Sequence, residues 1–145
     1  MPGIGKFLPL IGGLPLGKTK EEKKAFHETA DARLKQGNCL VIYPESHLWP
    51  YYTGVRKFPA GDKSFTYAAR NNLPIFTMTT TYHKRKDKKK GDLPRMDIYI
   101  DGPFYPDADK SEDENRAKLA KEAYDSMVKY SKKNSYKYFE YKKKK

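Results

Sequence analysis

Leu40-Val41-Ile42-Tyr43-Pro44-Glu45 is a short apolar run closed by a proline and followed by a carboxylate. With Cys39 ahead of it, the run has the length and β-branched content of a buried strand over residues 39–43. Proline brings no N–H to a sheet ladder, so the strand ends there and Glu45 emerges at its carboxyl end. Upstream, Thr19-Lys20-Glu21-Glu22 spells a capping box, in which threonine and glutamate satisfy each other's backbone N–H groups. Phe26, Ala30 and Leu34 then recur at four-residue spacing as one apolar stripe, and Gly37 suits the left-handed residue that stops a helix.

Downstream, residues 62–71 predict a short helix with Phe65, Ala68 and Ala69 turned inward, and Asn71-Asn72 leads into a strand over 73–80. Helix, strand, helix and strand in that order predict a right-handed parallel unit. The fold expected is therefore α/β, a mixed and largely parallel sheet flanked by helices. Leu14-Pro15-Leu16 reads as an edge strand, because sheets tolerate proline at edges. Over 95–101, Met96, Ile98 and Ile100 alternate with Arg95, Asp97 and Tyr99, the pattern of a half-buried strand. Ser111-Glu112-Asp113-Glu114 is a second capping box, opening a helix to about residue 130 whose stripe is Leu119, Ala120, Ala123, Tyr124, Met127 and Val128. Residues 1–135 are thus expected to form the domain, and 136–145 a basic, aromatic tail.

Thirty Lys and Arg against eighteen Asp and Glu leave a formal charge of +12, which attracts polyanions, anionic lipid or acidic substrates. Residues 84–90 alone hold six cations and read as a solvated loop. The single cysteine excludes an internal disulfide and no zinc-ligand spacing occurs, so Cys39 is expected to be a small buried residue in a reducing cytoplasm. No apolar stretch approaches the ~20 residues needed to span a bilayer, and the glycines and prolines of 1–16 break any signal helix. Membrane contact is expected to be peripheral, on the inner face.

Ligands of open α/β sheets sit beyond the carboxyl ends of strands. Lys18 and Glu45 both occupy such positions, and Arg56-Lys57 follow on a loop over 46–60 too long to be an idle connection. Two lysines and an arginine suit a phosphate monoester. Trp49, Tyr51 and Tyr52 in that loop suit an acyl groove, a lipid interface, or packing of the loop on the domain.

The order of these segments resembles the phosphate-binding half of the glycerolipid acyltransferases, the family typified by 1-acylglycerol-3-phosphate acyltransferase. Gly12-Gly13-Leu14-Pro15-Leu16-Gly17-Lys18 is similar to its Gly-rich segment ending in a cation, with lysine where arginine is usual. Tyr43-Pro44-Glu45 matches its aromatic-Pro-Glu element. Residues 58–65 look like the stretch opening the next helix, and Leu73-Pro74-Ile75-Phe76-Thr77-Met78 like the strand after it. The likeness covers about residues 4–101.

The resemblance implies acyl transfer from an acyl thioester, acyl-CoA or acyl-carrier protein, to a lysophospholipid or glycerol-phosphate acceptor in phospholipid biosynthesis. It implies no cofactor and no metal. It gives Glu45 to positioning the acceptor and Lys18, Arg56 and Lys57 to its phosphate.

Where the family commonly continues Glu-Gly-Thr-Arg-Ser, this chain reads Glu45-Ser46-His47-Leu48-Trp49, and it lacks the family's His-x4-Asp base. His27 and His83 each precede an aspartate at the wrong spacing. His47 is the candidate auxiliary base. The expectation is a chain that starts downstream of the catalytic motif, binds the phosphate and transfers acyl groups poorly alone. The rival reading is a non-catalytic basic module for anionic membrane or nucleic acid, with Tyr136, Tyr138, Phe139 and Tyr141 as stacking rings among lysines. Nucleic acid is the less favoured partner, because no recognised nucleic-acid-binding motif is present.

Overall fold

Thr19 opens the first helix as its capping box predicts. Its side chain accepts from the Glu22 N–H at 3.1 Å, and Glu22 Oε2 accepts from the N–H groups of Thr19 and Lys18 at 3.1 and 2.7 Å. Those backbone donors hold the Glu22 carboxyl below the usual range. Helix α1 spans Lys20–Lys35, with Ala30 of the expected stripe fully buried. Gly37 follows at φ +82°, where a side chain would be strained. The computed structural model describes residues 12–14, 17–46, 49–59, 63–86 and 93–141. The chain divides into two units, Met1–Ile42 and Tyr43–Lys145. Helix α1 belongs to the first.

The second unit is built on helix α2 (Thr66–Asn71), strands β1 (Ile75–His83) and β2 (Arg95–Phe104), and helix α3 (Glu112–Ser131). Ser111 and Glu114 form the second predicted capping box. Helix α3 packs on α2 and on both strands. Between α2 and α3 lies a core of Phe65, Ala68, Leu119 and Ala123, with Phe58, Ala69, Ile75, Phe104 and Ala120 around it. Phe65, Ala68, Ala69, Leu119, Ala120 and Ala123 of the predicted inward residues are in or around this core, whereas Met127 and Val128 are outside it and Tyr67, Asn115 and Ser126 are buried without having been predicted.

The sheet differs from expectation. It has two strands, β1 and β2, paired antiparallel with Met78 opposite Ile100 and Thr79 opposite Tyr99. The parallel unit needed the run 39–43 as its first strand, and β1 pairs instead with β2, the strand that follows it in the chain. The expected largely parallel sheet is absent among the described residues; what stands is the coarser class, helices with a sheet. The run 39–43 is not a strand. Val41 and Tyr43 are 70% and 68% exposed, Cys39 is exposed rather than buried, and the run crosses the boundary between the units. An apolar run becomes a buried strand only where neighbours take its backbone groups and a layer covers its side chains. The proposed edge strand at 14–16 lies largely outside the described residues.

The sheet is also turned over relative to its pattern. The face on α3 is polar: Thr77, Thr79 and Thr81 are buried, beside half-buried Asp97, Tyr99 and Asp101. Thr77 Oγ1 lies 2.9 Å from Ser126 Oγ, which donates to Asp101 Oδ2 at 2.8 Å; Lys129 Nζ is 3.7 Å from the same carboxylate. The Tyr99 and Tyr130 rings stack at 5.1 Å. The opposite face carries Phe76, Met78, Met96, Ile98 and Ile100, each 57–65% exposed. The alternation expected over 95–101 is present, but its apolar half faces outward. On the inner face Thr77 and Asp101 find a partner in Ser126 of α3, and Thr81 bonds within the sheet to His83 and the Asp97 carbonyl. The Thr79 hydroxyl is buried without a hydrogen-bond partner among the described residues. Gly102, at φ +125°, lets the strands close at this end, since a Cβ there would lie 2.8 Å from the Ile75 carbonyl oxygen.

Leu119→Ala is expected to lower the unfolding free energy by about 2–5 kcal/mol in urea titration, because Leu119 is fully enclosed. The Ser126 hydroxyl, followed by the Lys129 charge, holds the Asp101 carboxyl below its ordinary range. A carboxyl depressed on folding stabilises above its unfolded-state pKa, and that contribution disappears as pH falls through the folded value. Acid unfolding followed by circular dichroism should therefore steepen below about pH 4, and less so in Asp101→Asn.

Candidate functional site

The loop over 46–59 leaves Glu45 and returns to it. The Arg56 N–H donates to Glu45 Oε2 at 2.8 Å, closing the loop with a charge-assisted bond eleven residues apart in sequence. Just beyond the two cations, Phe58 stacks on Phe65 at 5.6 Å and meets the Tyr124 ring edge-on at 5.6 Å, which anchors the loop's exit in the core. Arg56 and Lys57 are left exposed between a carboxylate tie on one side and an aromatic anchor on the other. The Arg56 guanidinium lies 4.8 Å from the centroid of the Trp49 ring. Stacking leaves the edge N–H groups of a guanidinium free to meet oxygen ligands. No ion pair joins Arg56 to a carboxylate among the described residues.

Two loop residues have left-handed backbones without being glycine, Ser46 at φ 60° and Tyr51 at φ 58°. For a bulky residue such as Tyr51 this costs on the order of 1–3 kcal/mol and persists only where surrounding contacts impose it. Its ring is held by Tyr82, Tyr138 and Phe139 at 5.5, 4.8 and 5.7 Å. Burial, with the neighbouring Tyr51, pushes the Tyr82 phenol up. Asn134, just past α3, ties three segments together. Its Oδ1 accepts from the Tyr82 N–H at 2.7 Å, and its Nδ2 donates to the carbonyls of Thr53 and Ser131 at 3.1 and 2.7 Å. Beside Lys57 an open cavity of about 300 Å³ is lined by Lys57, Phe58, Ala120, Lys121 and Tyr124.

Of the residues singled out in the sequence, Glu45, Arg56 and Lys57 are gathered on this one loop. Lys18 lies in the first unit, exposed, with its backbone N–H capping α1. His47 lies outside the described residues. His83 is the last residue of β1. Its Nδ1 is 2.8 Å from Ser135 Oγ, and its Nε2 is 2.9 Å from Thr81 Oγ1 and 3.4 Å from Asp97 Oδ2. Arg95 also reaches Asp97, at 2.9 Å, so this row joins the sheet to the tail. Sequence reasoning missed Asn134 and the stacking of Arg56 on Trp49. A lone asparagine carries no pattern, and a cation–π contact across seven loop residues has no periodic signature.

Comparison with protein-family models, curated proteins and solved structures finds no match to this chain.

Glu45→Ala is expected to free the Arg56 amide. Hydrogen exchange followed by mass spectrometry over 49–59 should quicken by about tenfold, the equivalent of one lost charge-assisted bond, while α3 keeps its protection.

Proposed function

We propose that this chain binds the phosphate of a glycerol-phosphate-type lysophospholipid and supplies that part of the site of an acyltransferase of phospholipid biosynthesis. The observation that carries the reading is the closure of the loop at Glu45–Arg56. It leaves an exposed guanidinium and an exposed ammonium side by side on a braced segment. A phosphate monoester is a good ligand for such a pair, since planar guanidinium N–H groups meet two of its oxygens and the lysine adds a point charge. Glu45, tied to the Arg56 backbone, keeps the loop's entry and exit together and adds an acceptor for a glycerol hydroxyl. The cavity beside Lys57 has Phe58, Ala120 and Tyr124 in its walls and two lysines at its rim, which suits an amphiphile with an anionic head.

Acyl transfer also needs a general base against the acceptor hydroxyl. The His-x4-Asp pattern that supplies it in the resembled family is not in this sequence, so the role proposed is acceptor binding. No helix among the described residues is long and apolar enough to cross a membrane. The net charge of +12 favours peripheral attachment to an anionic bilayer, where the acceptor resides.

Isothermal titration with lysophosphatidate in neutral detergent tests the reading, with monoacylglycerol as the phosphate-free control. Arg56→Ala should weaken binding by about tenfold or more and Lys57→Ala by less, the control remaining unbound throughout. Equal affinities for wild type and Arg56→Ala would remove the phosphate role from this loop.

A further inference from the structure

The basic, aromatic tail folds back onto the loop that presents Arg56. The Tyr141 hydroxyl donates to the Pro50 carbonyl at 2.6 Å, and its ring meets Trp49 edge-on at 5.0 Å and Tyr52 at 5.5 Å. Tyr138 and Phe139 pack on Tyr51, the loop residue with the left-handed backbone. The tail is itself fastened at its start, where the N–H groups of Ser135 and Tyr136 both donate to the Tyr82 carbonyl, at 3.1 and 3.2 Å. Contacts therefore run without a gap from β1 through the tail to Tyr141, from Tyr141 to Trp49, and from Trp49 to the Arg56 guanidinium.

We propose that residues 136–141 are a positioning strap for the anion-binding loop, with Tyr141 fixing the Trp49 ring and the ring in turn fixing the direction of the Arg56 side chain. The proposal rests on the reading of Arg56 as a phosphate ligand. An arginine on an exposed loop has many rotamers, and that freedom must be surrendered when its fork grips a ligand. A ring already held in place surrenders part of it beforehand, and pre-organisation of this kind raises affinity without adding a contact to the ligand. The strap also offsets the cost of the Tyr51 backbone, which no local sequence preference supports. Because the tail rings are engaged with the loop, their aromatic faces serve the loop before any external partner.

Trp49 is the only tryptophan in the chain, so its fluorescence reports the strap directly. The experiment compares wild type, Tyr141→Ala, Tyr141→Phe, Arg56→Ala and the Tyr141→Ala/Arg56→Ala double variant. Native folding is checked by circular dichroism. In Tyr141→Ala the Trp49 emission should shift to the red with increased acrylamide quenching. Limited trypsin digestion should cut after Arg56 and Lys57 about tenfold faster, because local opening is freed. Affinity for lysophosphatidate should fall about threefold or more, with Tyr141→Phe recovering most of the loss through its ring. In the Arg56→Ala background the same change should cost nothing further, since the two residues act through one contact chain.

Unchanged quenching and unchanged cleavage in Tyr141→Ala would overturn the strap. So would an affinity loss of the same size with and without Arg56. A wild-type chain that binds no phosphate monoester would defeat the functional reading instead, and the strap would then stand or fall on fluorescence and proteolysis alone.

Discussion

Helix α3 docks on the polar face of a two-stranded sheet, and the second unit depends on that contact. A sheet this small is only marginally stable without a layer against it. Here the layer is fastened by Leu119 and Ala123 on one side and by the Thr77–Ser126–Asp101 row on the other. The row constrains more than it contributes in energy. A hydroxyl and a carboxylate placed under a helix are costly unless paired, and Ser126 pairs both Thr77 and Asp101 in the observed register. That register leaves the Phe76, Met78, Met96, Ile98 and Ile100 face outward.

The same helix sets the position of the loop. Tyr124 receives Phe58, so the chain leaving Arg56 and Lys57 is fixed in the core within two residues. Asn134, three residues beyond the end of α3, joins the end of β1 to Thr53 in the middle of the loop. With Glu45 holding the Arg56 amide, the loop is supported at its closure, its centre and its exit. Exposed cations on a segment held at three places differ physically from cations on an untethered stretch, because the ordering entropy has already been spent on folding.

Apolar surface on the outward sheet face and along Val41 and Tyr43 is the other consequence of this architecture. Both stretches have the composition of buried strands. Whether such a stretch is enclosed depends on which layers are present around it, since hydrophobic burial is non-directional and needs a partner surface.

Local chemistry was therefore legible in the sequence where it is complete within a few residues. Both capping boxes, the left-handed Gly37, the core residues Ala68, Leu119 and Ala123 and the strand character of 95–101 each follow from side chains one to four positions apart. Strand direction, the facing of the sheet and the fate of 39–43 were settled by tertiary structure, because each depends on residues far away in the chain: Ser126 for Thr77, and a covering layer for Val41. The strap is the clearest case. Nothing in the spacing of Tyr138 and Tyr141 points to residues 49–51, and only the three-dimensional path of the chain past the end of β1 brings the rings together.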